Sequence, residues 1–174
     1  MAPEPISAAP ARPFRWMPDN PPMNEERDWA TEARAIVDKN LYMVLATADE
    51  TGQPWASPVY FAHREYRDFF WISQPDATHS VNLRDRREVG IAIFDSSVPI
   101  NTGQGVYILG VARELPAHET GEGIEIFSQR STGHGGEEVS AADVSPPAKH
   151  RLYQATAEAI YALDEHDHRV EVSL

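Results

Sequence analysis

The chain has 174 residues, which is long enough for one domain with a buried core. It has no cysteine, and this excludes disulfides, thiol catalysis and zinc–thiolate sites. Its net charge of −12 argues against nucleic acid and anionic membranes as partners, because both attract a basic surface. No stretch approaches the roughly 20 apolar residues that span a bilayer, and no leader pattern is evident, so we expect a cytoplasmic protein.

Residues 1–23 are rich in Pro and Ala and predict a flexible N-terminal tail, ahead of one folded domain over residues 24–174. Apolar residues at helical spacing then predict a helix over 24–40. Short apolar runs bounded by turn residues follow, and they predict strands. In chain order these strands cover 41–48, 54–61, 68–73, 89–95 and 105–115. Pro58 places the second of them at a sheet edge or a bulge.

A short helix is predicted between the third and fourth strands, with Asp76 as its N-cap. A helix N-terminus offers unpaired N–H groups and a partial positive charge, which suit a phosphate. Thr78, His79 and Ser80 in the first turn would add side-chain donors to the same anion. The alternative is an ordinary capped helix whose polar first turn is solvated.

The second half of the chain gives a less uniform pattern. Residues 118–130 are typical of a helix, and 131–147 are predicted to be loop because they are rich in Gly, Ser, Asp and Pro. Residues 152–163 satisfy both helical and strand periodicity, and 169–174 would form a closing strand. Several short strands with interspersed helices predict a mainly β, α+β fold built around a small antiparallel barrel.

Three segments in this order resemble the FMN-binding split-barrel family, which includes pyridoxamine 5′-phosphate oxidase. They read LATADETGQPWASPVYF, FFWISQPDATHSVNLRDRREVGIAIFD and GQGVYILGVAREL, and RLYQATAEAIYALDEHDHRVEV is weakly similar. The resemblance covers roughly residues 41–115. It implies an antiparallel six-stranded split β-barrel with flanking helices, in which 152–163 is a strand. It also implies a homodimer that binds FMN at its interface.

The same resemblance carries over the family's flavin contacts. They fall on Ser57, Pro58, Val59, Tyr60, Ile72, Ser73, Thr78, His79, Ser80, Gln104 and Gly105. Thr78 and His79 replace the Arg-Lys pair that grips the phosphate in the oxidases, which lowers the positive charge there by up to two units. The lysine that binds the vitamer phosphate becomes Ala62, and the C-terminal Arg-Leu-x-Pro signature is missing. The resemblance thus implies a flavin-dependent oxidoreductase whose small-molecule substrate is not pyridoxamine phosphate.

Two alternatives stay open at this point. The same fold could bind a deazaflavin coenzyme, or it could be a non-catalytic binder of flavin or haem, with His79 or His63 as the axial ligand. The seven histidines are scattered and predict no metal site, and His166-Asp167-His168 is predicted to be a polar turn. Trp71 is expected in the core, and no side chain is identified as a catalytic acid or base.

Overall fold

The computed structural model describes residues 28–164 and 166–174. Over these residues the chain forms three α-helices and eight strands, joined by short loops and two 3-10 turns. In chain order they are α1 Trp29–Lys39, β1 Tyr42–Ala48, β2 Pro54–Tyr60, β3 Ala62–Arg64, β4 Asp68–Ser73, α2 Thr78–Asp85, β5 Glu88–Phe94, β6 Gly105–Glu114, α3 Gly121–Gly133, β7 Arg151–Leu163 and β8 Arg169–Glu171. The predicted tail, residues 1–23, lies outside the described residues.

The strands form one antiparallel sheet in the order β2-β1-β5-β6-β7-β4-β3, with β8 paired to β7. Only Phe61 separates β2 from β3, so the two ends of the sheet are halves of one bent strand. This bent strand turns the sheet into a split barrel, which confirms the predicted α+β class with flanking helices. The sheet has eight strands rather than six, because β3 continues the second predicted strand and β8 adds a short pair at the end.

The barrel interior holds the main core, built from the inward side chains of alternate strand residues. Ala33 and Val37 of α1 are fully buried in this core, and Leu83 of α2 also reaches it. Arg130 of α3 donates from Nη2 to the carbonyls of Val37, Asp38 and Asn40, at 3.3, 3.2 and 2.8 Å. It thereby satisfies carbonyl groups that the C-terminal end of α1 leaves free.

A second core lies between α3 and the outer surface of β3, β4 and β7. Its buried members are Ala62, Phe70, Leu115, Ile124, Phe127, Val144 and Leu152. Gly123 permits this close packing, because a Cβ atom there would lie 2.9 Å from the Phe70 ring. Val144 comes from a 3-10 helix, Ala141–Val144, inside the segment that was predicted to be loop. The sequence pattern missed it because a single buried residue creates no periodicity.

The outer surface of β1, β2, β5 and β6 is apolar and exposed in the described part of the chain. We call it the apolar face. Its outward side chains are Tyr42, Val44, Ala46, Ala56, Pro58, Ala92, Phe94, Tyr107, Leu109 and Val111, and the charged Glu88 shares the face beside Val111. Tyr42 is 60% exposed, and Phe94 and Leu109 are 49% and 47% exposed. Contiguous exposed apolar surface of this kind is typical of interaction sites.

The first helix begins at Trp29, where the Asp28 carboxylate accepts the Thr31 N–H at 3.1 Å and acts as N-cap. Residues 24–27 of the predicted helix lie outside the described residues. The start of α2 differs from the prediction. The cap of α2 is Ala77, not Asp76, and no side chain caps that helix.

Residues 152–163 belong to β7, so the segment with ambiguous periodicity is a strand. Among the described residues, no helix combines the length and apolar character that crossing a membrane requires.

Candidate functional site

A chain of side-chain hydrogen bonds joins β2, β4 and α2 at one end of the barrel. The Trp55 indole Nε1–H donates to Ser57 Oγ at 2.9 Å. Ser57 Oγ lies 3.0 Å from Nδ1 of His79, whose Nε2 lies 2.8 Å from Ser73 Oγ. Three of the predicted site residues, Ser57, Ser73 and His79, are therefore in direct contact. Because these contacts tie three elements together, they fix the orientation of the Trp55 ring.

His79 occupies the centre of this chain and is only 8% exposed. Burial lowers the pKa of its imidazole below the ordinary value, because the charged form is desolvated. Both ring nitrogens are already within hydrogen-bond distance of a serine hydroxyl. At neutral pH His79 therefore adds no fixed positive charge, and its clearest role is to position Ser57 and Ser73.

The N-terminus of α2 lies next to this histidine. The N-cap Ala77 has an extended backbone, and the helix's first internal bond is from Val81 N–H to the Ala77 carbonyl at 2.9 Å. No side chain accepts the N–H groups of the first turn, so they are available to an anion. Thr78 is exposed at this turn, whereas Ser80 is buried.

Arg84 brings a positive charge to the same turn, and it was not among the predicted residues. Its Nη2 donates to the Pro75 carbonyl at 2.6 Å, so the side chain folds back toward the segment that precedes α2. A signal was present, since Arg84 lies within the NLRDRR segment, about 1.7 helical turns after Thr78. Sequence spacing alone did not show that the guanidinium returns to the helix start.

The two tryptophans near the site differ in exposure. Trp55 is 49% exposed, with its indole N–H held by Ser57. Trp71 is fully buried and stacks on Tyr153, with ring centroids 5.6 Å apart, so it belongs to the core as predicted. Trp55 is therefore the aromatic surface that a planar ligand could contact at this end of the barrel.

The remaining predicted residues lie elsewhere on the barrel. Tyr60 and Ile72 pack against the second core, which lies under α3 and is called the α3 core below. Val59 packs against the main core inside the barrel, and Pro58 is exposed on the apolar face. Gln104 and Gly105 are at the start of β6, which is three strands away from β2 in the sheet. Gly105 also lies three residues along β6 from Ile108, the β6 residue in register with Ser57. Standard strand spacing puts them on the order of 15 Å from Ser57. One protomer therefore does not gather all the predicted residues around one ligand.

Neither described cavity includes a predicted site residue. The larger has a volume of about 520 Å³ and lies beside the β3–β4 turn and α3. Its lining charges are largely paired, because Arg64 forms ion pairs with Asp68 and Glu122. Asp68 also accepts hydrogen bonds from Gln154 and Thr156, at 2.7 and 2.8 Å. This recess is accordingly better explained as an ion-paired surface than as the cofactor site.

The two histidines considered as haem ligands are both engaged within the protein. His63 Nε2 lies 3.1 Å from the Asp38 carboxylate, and its Nδ1 is the acceptor for the Tyr66 N–H at 3.4 Å. His79 is bridged by its two serines. Neither imidazole presents a free nitrogen, so this geometry does not favour axial ligation by either.

The buried histidines predict a pH dependence of stability. Burial lowers the pKa of both His63 and His79 below the value of about 6.5 that a histidine has in an unfolded chain. At pH values between the folded-state and unfolded-state pKa, the unfolded chain therefore binds protons that the folded chain does not. The free energy of unfolding should therefore fall as the pH drops from about 7 to 5. Urea denaturation at several pH values would measure this slope. We expect His79→Gln to have a shallower slope than the wild type, while an equal slope in both would contradict the prediction.

A family model described as pyridoxamine 5′-phosphate oxidase matches residues 30–164. No curated protein sequence matches the chain. Among solved structures, a heme binding protein from Mycobacterium smegmatis has a TM-score of 0.67 at 18% identity, covering 84% of this chain and 58% of that one. A heme storage protein from Vibrio cholerae has a TM-score of 0.62 at 16% identity, covering 78% and 94%. An F420 reductase has a TM-score of 0.56 at 15% identity, covering 74% and 94%. Likenesses at these identities show the fold alone.

Proposed function

Because the chain belongs to the pyridoxamine 5′-phosphate oxidase family, we propose that it is a flavin-dependent oxidoreductase that binds FMN between two copies of the chain. One observation carries the proposal. The half-exposed Trp55 ring and the uncapped N-terminus of α2 lie at the same end of the barrel, joined through Ser57 and His79. An aromatic surface beside an anion site fits a ligand that has a planar ring system and a phosphate.

Each group in this arrangement has a distinct task in the proposal. The Thr78 hydroxyl and the first N–H groups of α2 bind the phosphate, and Arg84 supplies a positive charge nearby. Trp55 contacts the ring system, and His79 holds Ser57 and Ser73 in place. Bound FMN would supply the redox chemistry, while the protein supplies binding, orientation and exclusion of water.

The apolar face supports the homodimer. Its exposed tyrosine, phenylalanine and leucine side chains are the kind that interfaces between copies bury. The separation between Gln104 and Ser57 supports it as well. If the ligand lies at the interface, one copy supplies the β2–α2 residues and the other supplies Gln104, so neither copy is a complete site.

The substrate is proposed to be a small molecule other than pyridoxamine phosphate. Ala62 takes the place of the lysine that grips the vitamer phosphate in the oxidases. It is fully buried in the α3 core, so it can neither carry the charge nor reach a ligand. The neighbouring Arg64 is already paired with the carboxylates of Asp68 and Glu122, so its guanidinium is not available to bind a substrate phosphate.

A deazaflavin coenzyme on the same site is the second candidate, and the charge at α2 favours it. The FMN phosphate carries a charge of about −1.5 to −2, whereas the phosphodiester of the deazaflavin coenzyme carries a single charge. Burial keeps the pKa of His79 low, so the phosphate site has Arg84 but no second fixed cation at this helix. A site with one cation therefore matches the single charge of the deazaflavin phosphodiester more closely than the higher charge of the FMN phosphate.

The cofactor is tested by titrating the purified, untagged chain with FMN and with the deazaflavin coenzyme, followed by fluorescence quenching. We expect saturable binding of one of them, and a weakening of about fivefold for Trp55→Leu, because stacking on an aromatic ring contributes about 1 kcal/mol. Trp55→Phe should retain most of the affinity. Reduction of the bound cofactor by a nicotinamide donor would then distinguish an enzyme from a carrier.

Thr132→Val is the matched control for Thr78→Val, because Thr132 is an exposed threonine on α3, away from the site. Loss of the Thr78 hydroxyl should weaken binding severalfold, whereas the Thr132 variant should bind like the wild type. Equal affinity for the wild type, Trp55→Leu and Thr78→Val would refute this placement of the cofactor. Failure to bind either compound would refute the cofactor proposal itself.

A further inference from the structure

The turn between β7 and β8 brings together three groups that commonly bind metal ions. They are the carboxylate of Asp164 and the imidazoles of His166 and His168, and one potential ligand atom from each lies within 4.8 Å of the other two. The sequence pattern showed only two histidines one residue apart. Asp164 directly follows β7, at the start of the turn. Nothing in the sequence pattern grouped it with the histidines, because an aspartate at such a position is common in loops.

Asp164 is held in a fixed orientation. Its Oδ1 accepts the backbone N–H groups of His166 and His168, each at 2.8 Å, and the side chain is 8% exposed. These bonds use one carboxylate oxygen and leave Oδ2 directed toward His168. Backbone hydrogen bonds to a ligating carboxylate orient it and lower the cost of binding a metal.

The two imidazoles are arranged around that second oxygen. Oδ2 lies 3.1 Å from Nδ1 of His168, and the rings of His166 and His168 stack with centroids 6.0 Å apart. Metal–ligand distances of about 2.0 to 2.2 Å place two ligands of one ion about 3 to 4 Å apart. The Asp164–His168 pair already has this separation, and a bound ion would replace their shared proton. His166 is exposed, so small movements of its side chain suffice to complete the set.

We infer that Asp164, His166 and His168 form a binding site for a divalent transition metal ion of the zinc type. Two imidazoles and one carboxylate are the ligand set that such ions prefer, whereas magnesium and calcium prefer oxygen ligands alone. Three protein ligands leave a position open to solvent or to another molecule. The inference is independent of the proposed cofactor site, since none of these residues takes part in it.

The position of the site gives it a structural consequence. Val106 pairs with Ala162, so the turn that follows β7 lies beside the start of β6, where Gln104 and Gly105 are. A bound ion would cross-link the end of β7 to the residue before β8 and would hold the C-terminal strand in place. Arg169 does not oppose the ion directly, because its guanidinium lies 4.2 Å above the Tyr107 ring.

The test is calorimetric titration of the untagged full-length chain with zinc chloride. We expect one ion per chain, with affinity reduced at least tenfold in His166→Ala, in His168→Ala and in Asp164→Asn. His150→Ala is the control, because His150 is an exposed histidine outside the turn, and its affinity should equal that of the wild type. Magnesium chloride should give no comparable binding.

A second readout guards against variants that fail to fold. His166 is exposed, so circular dichroism of His166→Ala should match the wild type, and zinc should raise the melting temperature of the wild type but not of the variant. Absence of zinc binding to the wild type, zinc affinity in the His166 and His168 variants equal to that of the wild type, or equal binding of magnesium and zinc would each overturn the inference.

Discussion

In the proposed FMN-binding homodimer, Leu109→Glu is expected to separate the two copies and to remove cofactor binding at the same time. Leu109 lies on β6, the strand at one side of the apolar face, and is 47% exposed in a single protomer. In a dimer formed through this face, the substitution buries two carboxylates that have no partner, which costs several kcal/mol. We expect the dimer dissociation constant to rise on the order of a hundredfold. Light scattering after gel filtration would measure the mass, and a titration would measure cofactor affinity.

Ala35→Glu provides a matched control for this experiment. Ala35 is exposed on α1, so the substitution adds the same charge away from the apolar face. This variant should remain dimeric and should bind the cofactor with unchanged affinity. A Leu109→Glu monomer that binds cofactor as tightly as the wild type would show that one copy holds the complete site. A Leu109→Glu protein that stays dimeric would place the interface elsewhere.

Gly110→Ala is expected to destabilise the fold by about 3 kcal/mol. Gly110 lies where the β6–β7 register shifts, and a Cβ atom there would lie 2.4 Å from the Thr156 carbonyl oxygen and 3.3 Å from the Ala157 Cα. These neighbours are backbone atoms, so no side chain can rotate to make room. The new methyl group therefore has to displace β7 itself. Chemical denaturation would measure the loss as a lower midpoint.

The same substitution at Gly90 serves as its control. Gly90 is also on a central strand, β5, but a Cβ atom there would meet only the Ala46 Cβ, at an ordinary 3.8 Å. Gly90→Ala should therefore change the free energy of unfolding by less than about 1 kcal/mol. If the two variants have the same midpoint, the close approach of β6 and β7 at Gly110 does not restrict the fold.

Much of the fold could be predicted because strand signals are local. The apolar runs that became β1, β4, β5 and β6 are bounded by turn residues, and each was assigned correctly within a few residues. Two features could not be predicted in this way. The β3 segment is only three residues long, and it is recognisable as a strand only once Phe69 and its neighbours are in place beside it. Helix capping at Ala77 rather than Asp76 depends on the path of the preceding turn.

The candidate site shows the same limit more strongly. The sequence brought Ser57, Ser73 and His79 together only through a family resemblance, and the hydrogen bonds between them depend on tertiary packing. The positions of Arg84 and Asp164 depend on packing too, since one folds back to Pro75 and the other is fixed by N–H groups of the next turn. Spacing along the chain identifies side chains with suitable chemistry, but not the direction in which they point.

The bent strand formed by β2 and β3 also bears on aggregation. A strand at the end of a sheet presents unpaired N–H and C=O groups, which can add strands from other molecules. Here β2 ends the sheet order and carries Pro54 and Pro58, whose nitrogens cannot donate hydrogen bonds. The prolines interrupt the ladder that edge-to-edge growth would need, although an apolar surface lies directly beside them. In the proposed homodimer, contact between the two apolar faces closes at two copies, whereas the prolines oppose the open-ended addition of strands that forms fibrils.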